Sequence, residues 1–135
     1  MNSTDQIARS ETSTPARRRT CVIVDDEQRG RDSLSGILKR HFPELQEVGQ
    51  AVSVDESVAL IENIRPDLIF LDIEIIGGTG FDVLDRLGQS YPMIVITTAY
   101  ASYREESESY PNTRFLMKPI GISALREALR GVTDE

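Results

Sequence analysis

From residue 20 onward, short unbroken apolar runs alternate with longer stretches in which apolar residues recur every three or four positions. Those two periods belong to strands covered on both faces and to helices with one buried face. Cys21-Val22-Ile23-Val24 reads as a first strand. Leu34, Ile37, Leu38 and Phe42 predict a helix after it, weakened by Gly30 and Gly36. Residues 47–52 are more polar and broken by Gly49, which predicts an edge strand. Ser53 followed by Glu56 predicts a capping box. The helix it opens buries Val54, Val58, Ile61 and Ile64 and stops before Pro66. Leu68-Ile69-Phe70-Leu71 is the third strand, followed by a glycine-bearing loop over 75–80 and a helix carrying Phe81, Leu84 and Leu87. Met93-Ile94-Val95-Ile96, running into Thr97 and Thr98, is the fourth strand, and Phe115-Leu116-Met117 the fifth. The last helix presents Ile122, Leu125 and Leu129, with Arg130 near its negative end. Repeated strand–helix units predict an α/β domain built on a parallel sheet.

Two stretches lack this pattern. Residues 1–19 are rich in Ser, Thr and Arg, contain Pro15 and have no apolar period, which predicts a disordered tail. The tail ends in Arg17-Arg18-Arg19, read as a solvated flank, so the folded domain is expected over 20–132. The second stretch is 102–110. Between Tyr103 and Tyr110 it reads Arg-Glu-Glu-Ser-Glu-Ser, with no apolar stripe, so a fourth helix there is expected to be short or irregular.

Composition narrows the function. The 135 residues fit one domain, and the net charge of −7 disfavours direct contact with nucleic acid, which needs a basic surface. No apolar run approaches the length of a membrane-spanning helix, and no secretory signal is present, so a cytoplasmic protein is expected. The lone Cys21, inside an apolar run, reads as a packed thiol, and the lone His41 as a surface or packing residue.

The candidate chemistry lies just after the apolar runs. The first strand ends in Asp25-Asp26-Glu27, the third in Asp72, the fourth in Thr98 and the fifth in Lys118-Pro119. An open parallel sheet binds ligands outside the carboxyl ends of its strands. Three carboxylates, a hydroxyl and an ammonium are therefore expected at one edge. Two carboxylates ~4 Å apart repel by roughly 4 kcal/mol at an effective dielectric of ~20, so a trio calls for a cation. Hard oxygen donors without thiolate or paired imidazole point to Mg²⁺, with Mn²⁺ as the alternative, rather than zinc. An aspartate in such a place can serve as a nucleophile that forms an aspartyl phosphate.

Asp25-Asp26, the Leu-Asp72-Ile-Glu segment with Gly80 eight residues on, Thr98-Ala99 and Lys118-Pro119 together resemble the response-regulator receiver domains of two-component pathways. The resemblance implies a flavodoxin-like (βα)5 doubly wound fold with strand order 2-1-3-4-5. It implies Asp72 as phosphoacceptor, with Mg²⁺ held by Asp25, Asp26, Asp72 and the backbone carbonyl of Glu74. Thr98 matches the switch hydroxyl, Phe115 the switch aromatic, Lys118 the partner of the phosphoryl group and Pro119 the cis-proline. It also implies phosphorylation by a histidine kinase or a histidine phosphotransfer protein, a downstream protein partner, and catalysis confined to the domain's own phosphorylation and dephosphorylation. Homodimerisation is left open.

Ile76 stands where the family usually has proline, and the Thr98 to Lys118 interval is 20 residues. That interval, with Leu-Asp-Ile-Glu and Thr-Ala-Tyr, is similar to receivers that precede LytTR DNA-binding domains. No output domain lies within these residues, and a stand-alone receiver and a part of a larger regulator are both compatible with them. Two other readings compete: a phosphorylation-independent receiver-like scaffold, and a haloacid-dehalogenase-type phosphatase. The second would need an Asp-x-Asp nucleophile after an early strand.

Overall fold

The computed structural model describes residues 18–132. Its strands form where the apolar runs are. They are β1 (Arg19–Val24), β2 (Leu45–Ala51), β3 (Leu68–Asp72), β4 (Met93–Thr98) and β5 (Thr113–Met117). The helices are α1 (Gln28–His41), α2 (Val54–Ile64), α3 (Gly80–Leu87), α4 (Arg104–Ser107) and α5 (Ile122–Ala128). All five strands join in one sheet in the order β2-β1-β3-β4-β5, and every pairing is parallel. This is the doubly wound, flavodoxin-like order expected from the sequence.

Alternation along each strand divides the core into two layers. Val22, Val24, Ile69, Leu71, Ile94 and Ile96 face α2 and α3, packing with Val54, Val58, Phe81 and Leu84. Cys21, Ile23, Leu68, Phe70, Val95 and Leu116 face α1 and α5, packing with Leu34, Leu38, Leu125 and Leu129. Burial pushes the Cys21 thiol up to about 12, helped by the nearby Glu47 charge, so it stays protonated. Ile122 is more than a third exposed and takes no part in the core, unlike Leu125 and Leu129 of the same helix.

Several boundaries differ from the sequence reading. Most of the expected tail lies outside the described residues. However, Arg18 donates to the Leu45 carbonyl at 3.0 Å, and Arg19 opens β1. The first strand therefore starts at Arg19, one residue before the expected boundary, while Arg18 itself is exposed. The edge strand β2 begins at Leu45, a buried residue, and its register against β1 skips Val48. A Cβ at Gly49 would lie 3.0 Å from a Leu60 methyl of α2, so glycine lets that side chain pack closely over the strand.

The Ser53 cap is half a box. Its hydroxyl accepts from Glu56 N at 3.1 Å, but the Glu56 carboxylate accepts from Val52 N instead of Ser53 N. A complete box, not anticipated, forms between Thr79 and Asp82 at the start of α3. The glycine loop before it is ordered as a two-stranded antiparallel ribbon pairing Glu74 with Thr79 and Ile75 with Gly78. The fourth helix is short, as expected: a 3-10 turn over Ala101–Tyr103 leads into the four residues of α4. No helix among the described residues is long and apolar enough to cross a membrane.

Candidate functional site

β1, β3 and β5 each deliver one charged side chain to the carboxyl edge of the sheet. Asp25 follows β1 directly, and its backbone N–H still bonds the Ala51 carbonyl of β2, so the sheet fixes it. Asp72 is the last residue of β3, paired in register with Thr97 of β4. Lys118 follows β5, and its N–H donates to the Thr98 carbonyl at 2.7 Å. The Lys118-Pro119 peptide is cis. Lys118 Nζ donates to Asp25 Oδ2 at 2.9 Å and to Asp72 Oδ2 at 3.1 Å. One ammonium thus lies between two buried carboxylates.

The electrostatics follow from burial. Asp72 is 7% exposed. Desolvation raises its pKa to about 6, against the lowering effect of Lys118, with the Asp25 charge raising it further. For Lys118, burial alone would lower the pKa, but the bond to Asp25 and the charges of Asp72 and Asp25 outweigh it, and the net direction is up. The ammonium therefore keeps its proton while Asp72 carries a carboxylate that is costly to ionise.

Asp26 is exposed beside this pair. One carboxylate oxygen from each of Asp25, Asp26 and Asp72 lies within 4.8 Å of the others. Lys118 supplies one positive charge to three carboxylates, so the group remains short of cation. Hard oxygen donors, converging and under-neutralised, fit a Mg²⁺ or Mn²⁺ ion. Glu74, whose carbonyl is the fourth expected donor, begins the ribbon two residues past Asp72.

Thr98 is 1% exposed, and its Oγ1 accepts from Tyr100 N at 3.1 Å, which leaves the hydroxyl proton available to another acceptor. Phe115 is not in the charged cluster. It lies partly buried in β5 with the Arg104 guanidinium 4.5 Å from its ring centroid. The sheet edge thus gathers Asp25, Asp26, Asp72 and Lys118, with Thr98 closing the adjacent strand end, while Phe115 lines the neighbouring face.

Other residues shape the edge. Arg31 of α1 donates to the Asp25 carbonyl at 2.9 Å, and Glu27 N donates to Asp25 Oδ1 at 2.9 Å. A Cβ on Gly80 would lie 2.6 Å from the Asp72 carbonyl oxygen, so only glycine lets α3 begin this close to Asp72. Tyr103 Oη donates to Glu74 Oε2 at 3.1 Å. Neither the Tyr103 nor the Arg31 contact was foreseen. The available signal was the trio Tyr100, Tyr103 and Tyr110 flanking an otherwise acidic stretch.

A sequence model of the response regulator receiver domain matches residues 21–130. The chain belongs to that family, the receiver domains of two-component systems. Among curated relatives, this receiver is 33% identical to the sensory transduction protein LytT of Bacillus subtilis over 111 residues, 81% of this chain and 46% of the relative. It is 30% identical to the transcriptional regulatory protein BtsR of Salmonella typhi, covering 84% of this chain and 48% of the relative. The receiver thus spans about half the length of the curated relatives it matches. Among solved structures, it is similar to the response regulatory domain of mrkE from Klebsiella pneumoniae, with 25% identity and a TM-score of 0.74 over 82% of this chain and 91% of that one. A response regulator of Chloroflexus aurantiacus shares the fold, with a TM-score of 0.76 at 20% identity over 87% of this chain and 99% of the other.

Proposed function

We propose that Asp72 accepts a phosphoryl group from a phosphohistidine on a histidine kinase or histidine phosphotransfer protein. The observation that carries this reading is the buried Asp72 carboxylate held at 3.1 Å from Lys118 Nζ within a converging acidic trio. A carboxylate of raised pKa at the mouth of a sheet edge is a stronger nucleophile than an ordinary aspartate.

In the transfer, an Asp72 oxygen forms a bond to phosphorus as the phosphorus–nitrogen bond breaks. The imidazole leaves with the electron pair and takes a proton from solvent. Lys118 stays within reach of the incoming phosphoryl oxygens and offsets their charge. Thr98 turns its free hydroxyl proton toward a phosphoryl oxygen. Asp25, Asp26, Asp72 and the Glu74 carbonyl would hold Mg²⁺, which supplies charge neutralisation on the phosphoryl group.

The switch follows from what Thr98 must leave. Moving its hydroxyl toward a phosphoryl oxygen weakens the bond from Tyr100 N, and Phe115 and Arg104 adjoin the same segment. The two states differ by a few polar contacts, so a modest difference in phosphoryl interaction shifts the population. The face of α4 and β5 then changes its affinity for a downstream protein or a second copy of the chain. Such a domain meets its kinase in the cytoplasm, and its chemistry is confined to its own phosphorylation and dephosphorylation.

Intact-mass spectrometry with acetyl phosphate tests the reading. A phosphoryl-sized gain that needs Mg²⁺ and vanishes in Asp72→Asn is expected. An equal gain in Asp72→Asn would overturn it.

A further inference from the structure

The segment after Thr98 does more than span a loop. Tyr103 ends the 3-10 turn, and its ring packs against Phe81 at a centroid distance of 6.0 Å and against Tyr100 at 6.3 Å. Its hydroxyl donates to the Glu74 carboxylate at 3.1 Å. The Glu74 backbone is fixed independently by the ribbon pairing with Thr79. That leaves the side chain of Glu74, whose carboxylate is engaged by the Tyr103 hydroxyl.

Glu74 is exposed and two residues from the nucleophile. A carboxylate there can accept a hydrogen bond from a water molecule approaching phospho-Asp72. Hydrolysis needs such a water: its oxygen bonds to phosphorus as the bond from phosphorus to the Asp72 oxygen breaks. Asp72 leaves as carboxylate, and both water protons end on the released dihydrogen phosphate or in solvent. A carboxylate already engaged by a tyrosine hydroxyl, drawn toward α4, is a poorer guide for that water.

We infer that Tyr103 is a positioning residue that holds the Glu74 carboxylate away from attacking water and thereby lengthens the lifetime of phospho-Asp72. This rests on the phosphoacceptor reading of the same site. Tyr103 touches none of the reacting atoms and acts only through Glu74.

The test follows the decay of the phosphorylated chain after removal of acetyl phosphate, in the presence of Mg²⁺. Tyr103→Phe keeps the ring and its packing. It should shorten the lifetime about threefold or more, a small part of the range a well-placed proton acceptor supplies. In a Glu74→Ala background, adding Tyr103→Phe should leave the lifetime unchanged. Tyr110→Phe removes a comparable hydroxyl bond, to Asp85 at 2.8 Å, on the same segment and should keep the wild-type lifetime. An unaltered or longer lifetime in Tyr103→Phe would overturn the inference. So would an equal shortening in the Glu74→Ala background, or the same shortening in Tyr110→Phe, which would mark general loosening. Failure of the wild-type chain to take up phosphate would instead sink the phosphoacceptor reading, and this inference with it.

Discussion

The charged centre and the segment 100–110 lie side by side, yet they are held in different ways. Asp72 and Thr98 end strands whose interior residues, such as Phe70, Leu71 and Ile96, are at most 1% exposed. Their placement is a consequence of the whole sheet, so moving either would disturb two core layers. In α4 and the turn before it, Ser107 alone is buried among the described residues. The segment is tied down by single polar bonds, Tyr103 to Glu74, Tyr110 to Asp85 and Thr113 Oγ1 to the Ser107 carbonyl, and by the Tyr103 and Tyr110 rings against Phe81. Each such bond is worth about 0.5–1.5 kcal/mol net. A centre that must hold its geometry is built into the core, and an element that must respond is held by contacts that can be exchanged.

The largest effect should come from the core beneath the centre. Phe70→Ala should cost about 3–5 kcal/mol in urea unfolding, because a fully buried ring leaves a cavity between α1, α5 and the sheet. A loss below 1 kcal/mol would mean that the centre does not depend on the core in this way. Gly80→Ala should cost about 1–3 kcal/mol, since backbone rather than a flexible side chain meets the new methyl at 2.6 Å. It should also impair phosphoryl uptake, which a destabilising change in 100–110 should not.

A pH effect separates the centre from the segment further. The folded-state pKa of Asp72 is raised to about 6 from an ordinary value of 3.8. The folded state therefore binds this proton more tightly than the unfolded chain. Any stability from that proton is fully present below about pH 4 and lost as the pH rises through about 6. In metal-free protein at neutral pH, Asp72→Asn should thus raise stability by about 1–3 kcal/mol, and the gain should vanish near pH 4. Added Mg²⁺ should narrow the gap by stabilising the wild type. A loss of stability in Asp72→Asn at neutral pH would show that the ion pair with Lys118 outweighs burial.

The smallest effect belongs to the segment. Tyr110→Phe removes the bond to Asp85 but keeps the stacking on Phe81, whose centroid lies 5.3 Å away. It should cost about 0.5–1.5 kcal/mol or less, visible chiefly as faster amide exchange in Arg104–Ser107. Exchange in β3 should be unchanged. Equal acceleration in both would mean that the two regions open together.

The same contrast explains what the sequence could reveal. Asp25, Asp72 and Lys118 were legible because each follows a continuous apolar run, and parallel topology brings run ends to one edge. The short α4 was legible as an absence of apolar period, but its anchors were not. Tyr103 and Tyr110 find Glu74 and Asp85 across 29 and 25 residues of chain, a pairing that no local period encodes. The Thr79–Asp82 box was hidden because glycines on both sides read as loop. Ile122 looked like core by its spacing from Leu125, but it is the first residue of the helix and stays 37% exposed.

The most direct test of the account is to locate the phosphoryl group. Phosphorylated protein is treated with borohydride, which reduces an acyl phosphate to an alcohol, and peptides are then sequenced by mass spectrometry. The account predicts homoserine at position 72, only when Mg²⁺ and a phosphodonor were both present. Reduction at Asp25 or Asp26 with residue 72 intact, or no reduced aspartate despite a measured phosphoryl gain, would contradict it.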